Sequence, residues 1–385
     1  MMNKTPPKDC LKDFFQKNAD CLQLPVRIKK NENIWNKLNQ RWEEFSRLAA
    51  HTPWLSDIKH DIDCSISEIN TAISSFYDGN MSDAIKSVLH LVEIASSRSP
   101  SYVVTTLKDF YGECGEEWDE WYRVRSSDLF SLEKEEMSHI PFSMRAIIEN
   151  QRYSISGIPC LYLGHSIYDC WEEMHRPSLD SICVSKFNLK SDISILNLSV
   201  TARELLSECF INEEKYPYED NVIAFFNTWI LQSACSAIIE VKNRTFHEEY
   251  IVPQLLMQCL KRQNLDGILY FSTRVDNIYF NSRSFICKNI AIPATDYSYS
   301  QSFGSDHSQK IEKSFSWSIP VNIGLYGIGA SLDRAADRSI NKVLNCARTT
   351  APICLDGILE TLYGETVFFQ LEALLHQNQY NKQRG

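Results

Sequence analysis

A chain of 385 residues is too long for one small domain and suits two or three. An apolar share of 44% and a charged share of 23% are those of an ordinary globular protein, and they exclude a mainly disordered chain, a collagen-like fibre and a coiled-coil rod. With 39 Lys and Arg against 49 Asp and Glu the net charge is −10, which excludes a global field for nucleic acid or anionic lipid and leaves room only for a local basic pocket.

The first hundred residues read as helical. Ile34, Leu38, Trp42 and Phe45 recur at three- or four-residue spacing, and Ile85, Val88, Leu89 and Val92 follow at i, i+3, i+4 and i+7, with Ser82 as the expected cap of that helix. Ser96–Pro100 ends it as a loop. Lys108 to His139 is acidic and is read as a solvated junction. Strands are then expected at Trp121–Arg125, Ile158–Leu163, Ile193–Leu198, Gly267–Ser272, Ile278–Phe280 and Phe285–Pro293. Between them, Asp220–Lys242 and Val252–Arg262 read as helices. Asn221 to Ile239 lacks charge over a bilayer-spanning length, but its Asn, Gln, Thr and Ser residues mark a buried core helix instead. Ser298–Lys313 reads as a loop, and Ser331–Leu344 and Gly357–His376 as helices. The fold class is α+β, with mostly short strands behind an all-helical N-terminal domain. The expected divisions are 1–115 helical, 116–300 mixed and catalytic, and 301–385 a loop and helices packing on or extending the catalytic part.

The 13 cysteines contain no Cys-x-x-Cys pair, so zinc-ribbon and thioredoxin-like readings have no support and no metal site is expected. The first fifteen residues lack the basic-then-apolar layout of a signal peptide. Reduced thiols in a cytoplasmic protein are the expectation, with no membrane or nucleic-acid partner. Gly164-His-Ser166 begins like a nucleophile elbow and Gly327-Ile-Gly329 like a dinucleotide fingerprint, but both break off, at Tyr168 and Leu332.

One segment carries more chemistry. From Arg152 it runs through the Ser156-Gly157 turn to a strand ending near Tyr162, then a short loop and a helix capped by Ser166, with Asp169 three residues on. Ile167, Cys170, Trp171 and Met174 make one apolar stripe on that helix. At 100° per residue Glu173 falls at the edge of the stripe and Glu172 points away, so Glu173 is expected partly buried and Glu172 solvated.

This segment resembles the RES domain, the toxin half of RES–Xre toxin–antitoxin pairs. The family pattern has an Arg-aromatic-Ser/Asn turn, Gly-x-Pro, a strand with Leu-Tyr and a Glu near the end of the next helix. Arg152 to Tyr162 spans ten residues and Tyr162 to Glu173 eleven, which is the family's spacing. Tyr122-Arg123 upstream and Gly267-Ile-Leu-Tyr-Phe-Ser272 downstream match its flanking strands. The resemblance covers roughly 121–293. The stretch from Glu173 to Gly267 is long for the family, and the C-terminal part has no counterpart in it. The helical N-terminus looks like the extension of larger RES proteins, some of them HEPN-like, although the HEPN nuclease motif is absent because Arg47 to His51 is one residue short.

The resemblance implies an ADP-ribosyltransferase-like core that consumes NAD as a substrate, with no separate cofactor. Breaking the nicotinamide–ribose bond passes through an oxocarbenium-like state, which a carboxylate stabilises. That role falls to Glu173. Arg152 and Arg123 suit the pyrophosphate, Tyr162 the nicotinamide, and Ser272 the far wall. His139, Pro141 and Phe142 are candidates to line the pocket. The implied activity is that of a bacterial NAD-depleting toxin or defence effector. A macromolecular acceptor would make it an ADP-ribosyltransferase, and a decayed pocket a binding protein. A cognate antitoxin and self-association are left open as partners.

Overall fold

The computed structural model describes residues 6–98, 100–107, 120–127, 132–207, 218–241, 244–275, 278–296, 306–323, 350–354 and 360–383. In chain order the elements used below are helices α1 (Lys8–Lys17), α2 (Ile34–His51), α3 (Lys59–Tyr77) and α4 (Met81–Ser96), then strands β1 (Val104–Thr106), β2 (Glu120–Ser126) and β3 (Cys160–Gly164). Helix α5 (Ile167–Glu173), β4 (Ile182–Leu189), β5 (Ser194–Leu198), α6 (Tyr218–Ser236), α7 (Ile251–Cys259), β6 (Gly267–Phe271) and β7 (Lys288–Pro293) follow. The last are α8 (Gln309–Ser314), β8 (Phe315–Trp317), β9 (Val321–Asn322), β10 (Pro352–Cys354), β11 (Glu360–Leu362) and α9 (Val367–Gln383). This is a mixed helix-and-sheet fold with helices at the N-terminus.

The chain forms two compact units, neither continuous in sequence. One comprises Met1–Gly112, Glu149–Gly157 and Ile193–Phe280, the other Glu113–Ile148, Ile158–Asp192 and Asn281–Gly385. The expected consecutive domains 1–115, 116–300 and 301–385 therefore differ from the observed division. The N-terminal helices need the later α6 to complete their core, and a helix with an apolar face is stable only when something covers it.

That core explains the first unit. Ile34, Leu38, Trp42 and Phe45 are all buried on α2. Helix α6 is buried on nearly every side, and its polar residues are held by hydrogen bonds, as buried polar groups must be. Trp42 Nε1 donates to Ser233 Oγ at 2.7 Å, Asn227 Nδ2 to Ile94 O at 2.8 Å and Gln232 Nε2 to Val200 O at 3.1 Å. The uncharged stretch is thus an interior helix, and among the described residues no helix is long and apolar enough to cross a membrane. On α4 the buried stripe includes Ala84, Val88, Leu91, Val92 and Ala95, and the cap is Asn80 rather than Ser82: its side chain accepts from Asp83 N. Three strands in the order β1–β5–β6 complete the unit, antiparallel at Val104↔Leu196 and parallel at Ile195↔Gly267.

The second unit is built on an antiparallel sheet in the order β8–β4–β2–β3–β7, with β9 also paired to β4. β2 pairs with β4 along its whole length, including Arg123↔Ser185, and β3 pairs with β7 from Cys160↔Pro293 to Gly164↔Asn289. β2 and β3 meet at one residue pair only, Tyr122↔Gly164. Beyond it the ladder stops, so the strands part on the side of Arg123 and Tyr162. Most expected strands are present with shorter bounds. Ile278–Phe280 is instead a single 3-10 turn. The expected loop Ser298–Lys313 holds α8 in its described part. The expected helix Gly357–His376 is a strand followed by α9. The expected helix Ser331–Leu344 and most of the acidic junction lie outside the described residues.

Candidate functional site

The second unit brings together three of the five expected site residues: Arg123 on β2, Tyr162 on β3 and Glu173 at the end of α5. Two buried thiols, Cys160 and Cys170, lie within electrostatic reach of this group. Arg123 acts electrostatically on both Cys160 and Cys170. Cys160, whose thiol burial pushes up to about 12, hydrogen-bonds with Tyr162. Glu173 adds negative charge beside Cys170. Gly164 makes the close approach possible: a Cβ there would stand 2.6 Å from Cys170 Sγ. Only a residue without a side chain lets α5 turn back this tightly onto β3.

Arg123 is the unusual member. It is half-buried, and its Nη1 is buried with no hydrogen-bond partner among the described residues. Burial, with Arg125 adding to it, pushes the guanidinium down to about 10, so it stays cationic at neutral pH. A buried donor without an acceptor costs free energy, and such a group is a candidate for an anionic ligand. Nearby, His139 is held neutral. Burial pushes it down to about 4, and Arg123 works in the same direction. Its Nε2 accepts from Ser308 N at 2.8 Å, which places the proton on Nδ1, 2.7 Å from Ile140 O. The rings of Phe142 and His307 flank it, each 5.2 Å away. Sequence reasoning missed His307, which stands in a polar stretch without periodicity.

Helix α5 starts as the sequence predicts. The Ser166 side chain accepts from Asp169 N at 3.0 Å and donates to Ile286 O at 2.6 Å. The two carboxylates at its end reverse the expectation for Glu172. Glu172 is buried and makes two 2.8 Å bonds with Arg176, whereas Glu173 is half-buried and accepts from Asn289 Nδ2 at 3.1 Å. Helical phase fails here because α5 is covered on two sides. Tyr168 and Trp171 pack on Phe368 of α9, at 5.9 and 5.3 Å between ring centres. The Glu172–Arg176 pair also spans a strained turn, with His175 at φ 63° and Arg176 at φ 57°. Asn289 was not singled out in the sequence. Its partner lies 116 residues away, and only the β3–β7 register pairs it with Gly164.

Arg152 and Ser272 belong to the first unit. Arg152 Nη1 donates to Cys235 O at 2.9 Å and Ala237 O at 3.1 Å, and its guanidinium lies 5.2 Å from the Tyr250 ring centre. These bonds tie its Nη1 to the last turn of α6 and to the residue just after it. Ser272 is fully buried, and its Oγ accepts from Arg274 N at 3.3 Å. Among the described residues no cluster of His, Cys, Asp and Glu could hold a metal ion.

Comparison with known proteins adds one relative. The chain is 38% identical over 209 residues to the "Putative toxin YopC" of Bacillus subtilis (strain 168). The match covers 52% of this chain and 46% of the relative, so the chain spans about half the length of the curated relative it matches. No family model and no solved structure matches the chain.

Proposed function

We propose that this protein is a toxin of RES type that consumes NAD by cleaving the nicotinamide–ribose bond. The observation that carries this reading is the buried, cationic Nη1 of Arg123, which has no hydrogen-bond partner among the described residues. It acts on the same two buried thiols as Tyr162 and Glu173, next to the single residue pair that joins β2 to β3. The name of the Bacillus relative supports a toxin, and with it a cognate antitoxin as partner.

In this reading Arg123 binds the pyrophosphate with charge-assisted hydrogen bonds. Tyr162 packs on the nicotinamide. Glu173, oriented by Asn289, holds the ribose and stabilises the positive charge that develops as the bond to nicotinamide breaks. Nicotinamide leaves with the bonding electron pair, and an oxygen nucleophile closes on the ribose carbon and loses its proton to solvent. Arg152 and Ser272 act as structural residues of the first unit.

The test is to incubate the purified full chain with NAD labelled on the adenylate side. Free ADP-ribose, or its phosphorylated form, is the expected product. Label on a macromolecule would make the enzyme a transferase, and intact NAD after prolonged incubation would overturn the reading. Expression without a partner should likewise lower cellular NAD as growth slows.

A further inference from the structure

Helix α9 carries three residues at i, i+4 and i+8, a spacing that puts them on one face. Each reaches an element that bears a proposed site residue. Phe368 packs on Tyr168 and Trp171 of α5. Glu372, 4% exposed, accepts from Ile167 N at 2.7 Å, the first amide of α5, and from the Tyr363 hydroxyl at 2.5 Å. His376 contacts Glu120 on β2, three residues before Arg123. Glu120 is paired in turn with the buried Lys186 of β4, and Lys186 Nζ is 3.2 Å from His376 Nδ1.

We infer that this face of α9 is a positioning device that holds the Glu173 helix and the Arg123 strand in their catalytic relation, with Glu372 as its central positioning residue. The inference rests on the NAD-consuming reading for its catalytic consequence. Its physical basis is that α5 has only seven residues. So short a helix has little stability of its own, and the place of Glu173 is set by what holds the helix. Ser166 and Glu372 hold its start, Phe368 its flank and Asn289 the carboxylate itself. Two of these four anchors come from α9, and α9 also grips β2. A shift of α5 by about 1 Å would misplace Glu173 against the ribose, and such misplacements cost on the order of a hundredfold in rate.

The experiment uses the full chain with Glu372→Ala, Glu372→Gln and Tyr363→Phe, and reads NAD kinetics together with hydrogen exchange. Glu372→Ala removes the acceptor. It should lower kcat about ten- to a hundredfold while KM stays within about twofold, and should speed amide exchange at Ile167. Glu372→Gln keeps the acceptor oxygen and should recover most of both. Tyr363→Phe loses one hydrogen bond to Glu372 and should shift both readouts in the same direction by a smaller factor. It carries the test if Glu372→Ala does not fold. Normal kcat in Glu372→Ala, or in Tyr363→Phe if only that variant folds, overturns the inference, and so does unchanged exchange at Ile167. A wild-type chain that leaves NAD intact sinks the proposed function instead, and the exchange arm then decides the structural claim alone.

Discussion

Glu172 and Glu173 are neighbours in the chain but are held for different purposes. Glu172 is locked to Arg176 across a left-handed turn, whereas Glu173 meets a neutral amide and lies beside the Arg123 and Tyr162 group. Glu173→Gln, which removes charge but keeps shape, should cut NAD turnover by about a hundredfold with an unchanged melting curve. Glu172→Gln should do the opposite: turnover per folded molecule stays within a few-fold, and stability falls by about 1 kcal/mol, because Arg176 is largely exposed and the pair is partly screened. Arg123→Met makes a sharper contrast. It removes a half-buried cation whose buried Nη1 has no partner among the described residues, so the melting temperature should hold or rise while turnover is lost. A clear loss of stability in Arg123→Met would mean that the guanidinium has a structural job.

At the scale of elements, Arg152 closes the end of α6 onto the turn that precedes β3. Lys cannot reproduce a planar group that bonds two carbonyls and stacks on Tyr250. Arg152→Lys should therefore cost about 1–2 kcal/mol, seen as a lower midpoint in denaturant titration. KM for NAD should stay near the wild-type value. A KM raised tenfold at unchanged stability would return Arg152 to the phosphate. The interior of α6 follows the same logic, since its buried Ser, Asn and Gln side chains serve as fixed hydrogen-bond partners for α2, α4 and the segment after β5.

For the molecule as a whole, His139 predicts an acid-sensitive stability. Folded His139 is neutral with its pKa near 4, against 6.5 when unfolded. Between these values the unfolded chain binds more protons, so stability is fully present above about pH 6.5 and is lost as pH falls towards 4. The loss is on the order of 2–3 kcal/mol. Thermal melts between pH 4 and 7 would measure it. His139→Asn should flatten the slope in that window, and an unchanged slope would exclude His139 as its source.

The local pattern of the sequence determined much of this architecture. The three- and four-residue apolar spacing put α2 and α4 in place, the polar residues of Asn221–Ile239 marked an interior helix, and Ser166 announced the start of α5. Strand positions were legible for the same reason: alternation and turn residues act over a few neighbours. The spacing that joins Tyr162 to Glu173 was equally visible, and both side chains fall in one unit. What only the tertiary structure decided is which charged groups are engaged. Glu172 is buried because α9 covers the second side of α5, through a contact made 205 residues further along the chain at Glu372. Arg152 is occupied because α6 ends at its side, whereas the Nη1 of Arg123, on a strand that pairs with β3 at one residue, has no partner among the described residues. The phase of a helix states only which residues share a face. Burial and pairing depend on what packs there, and that is fixed by contacts between segments distant in sequence.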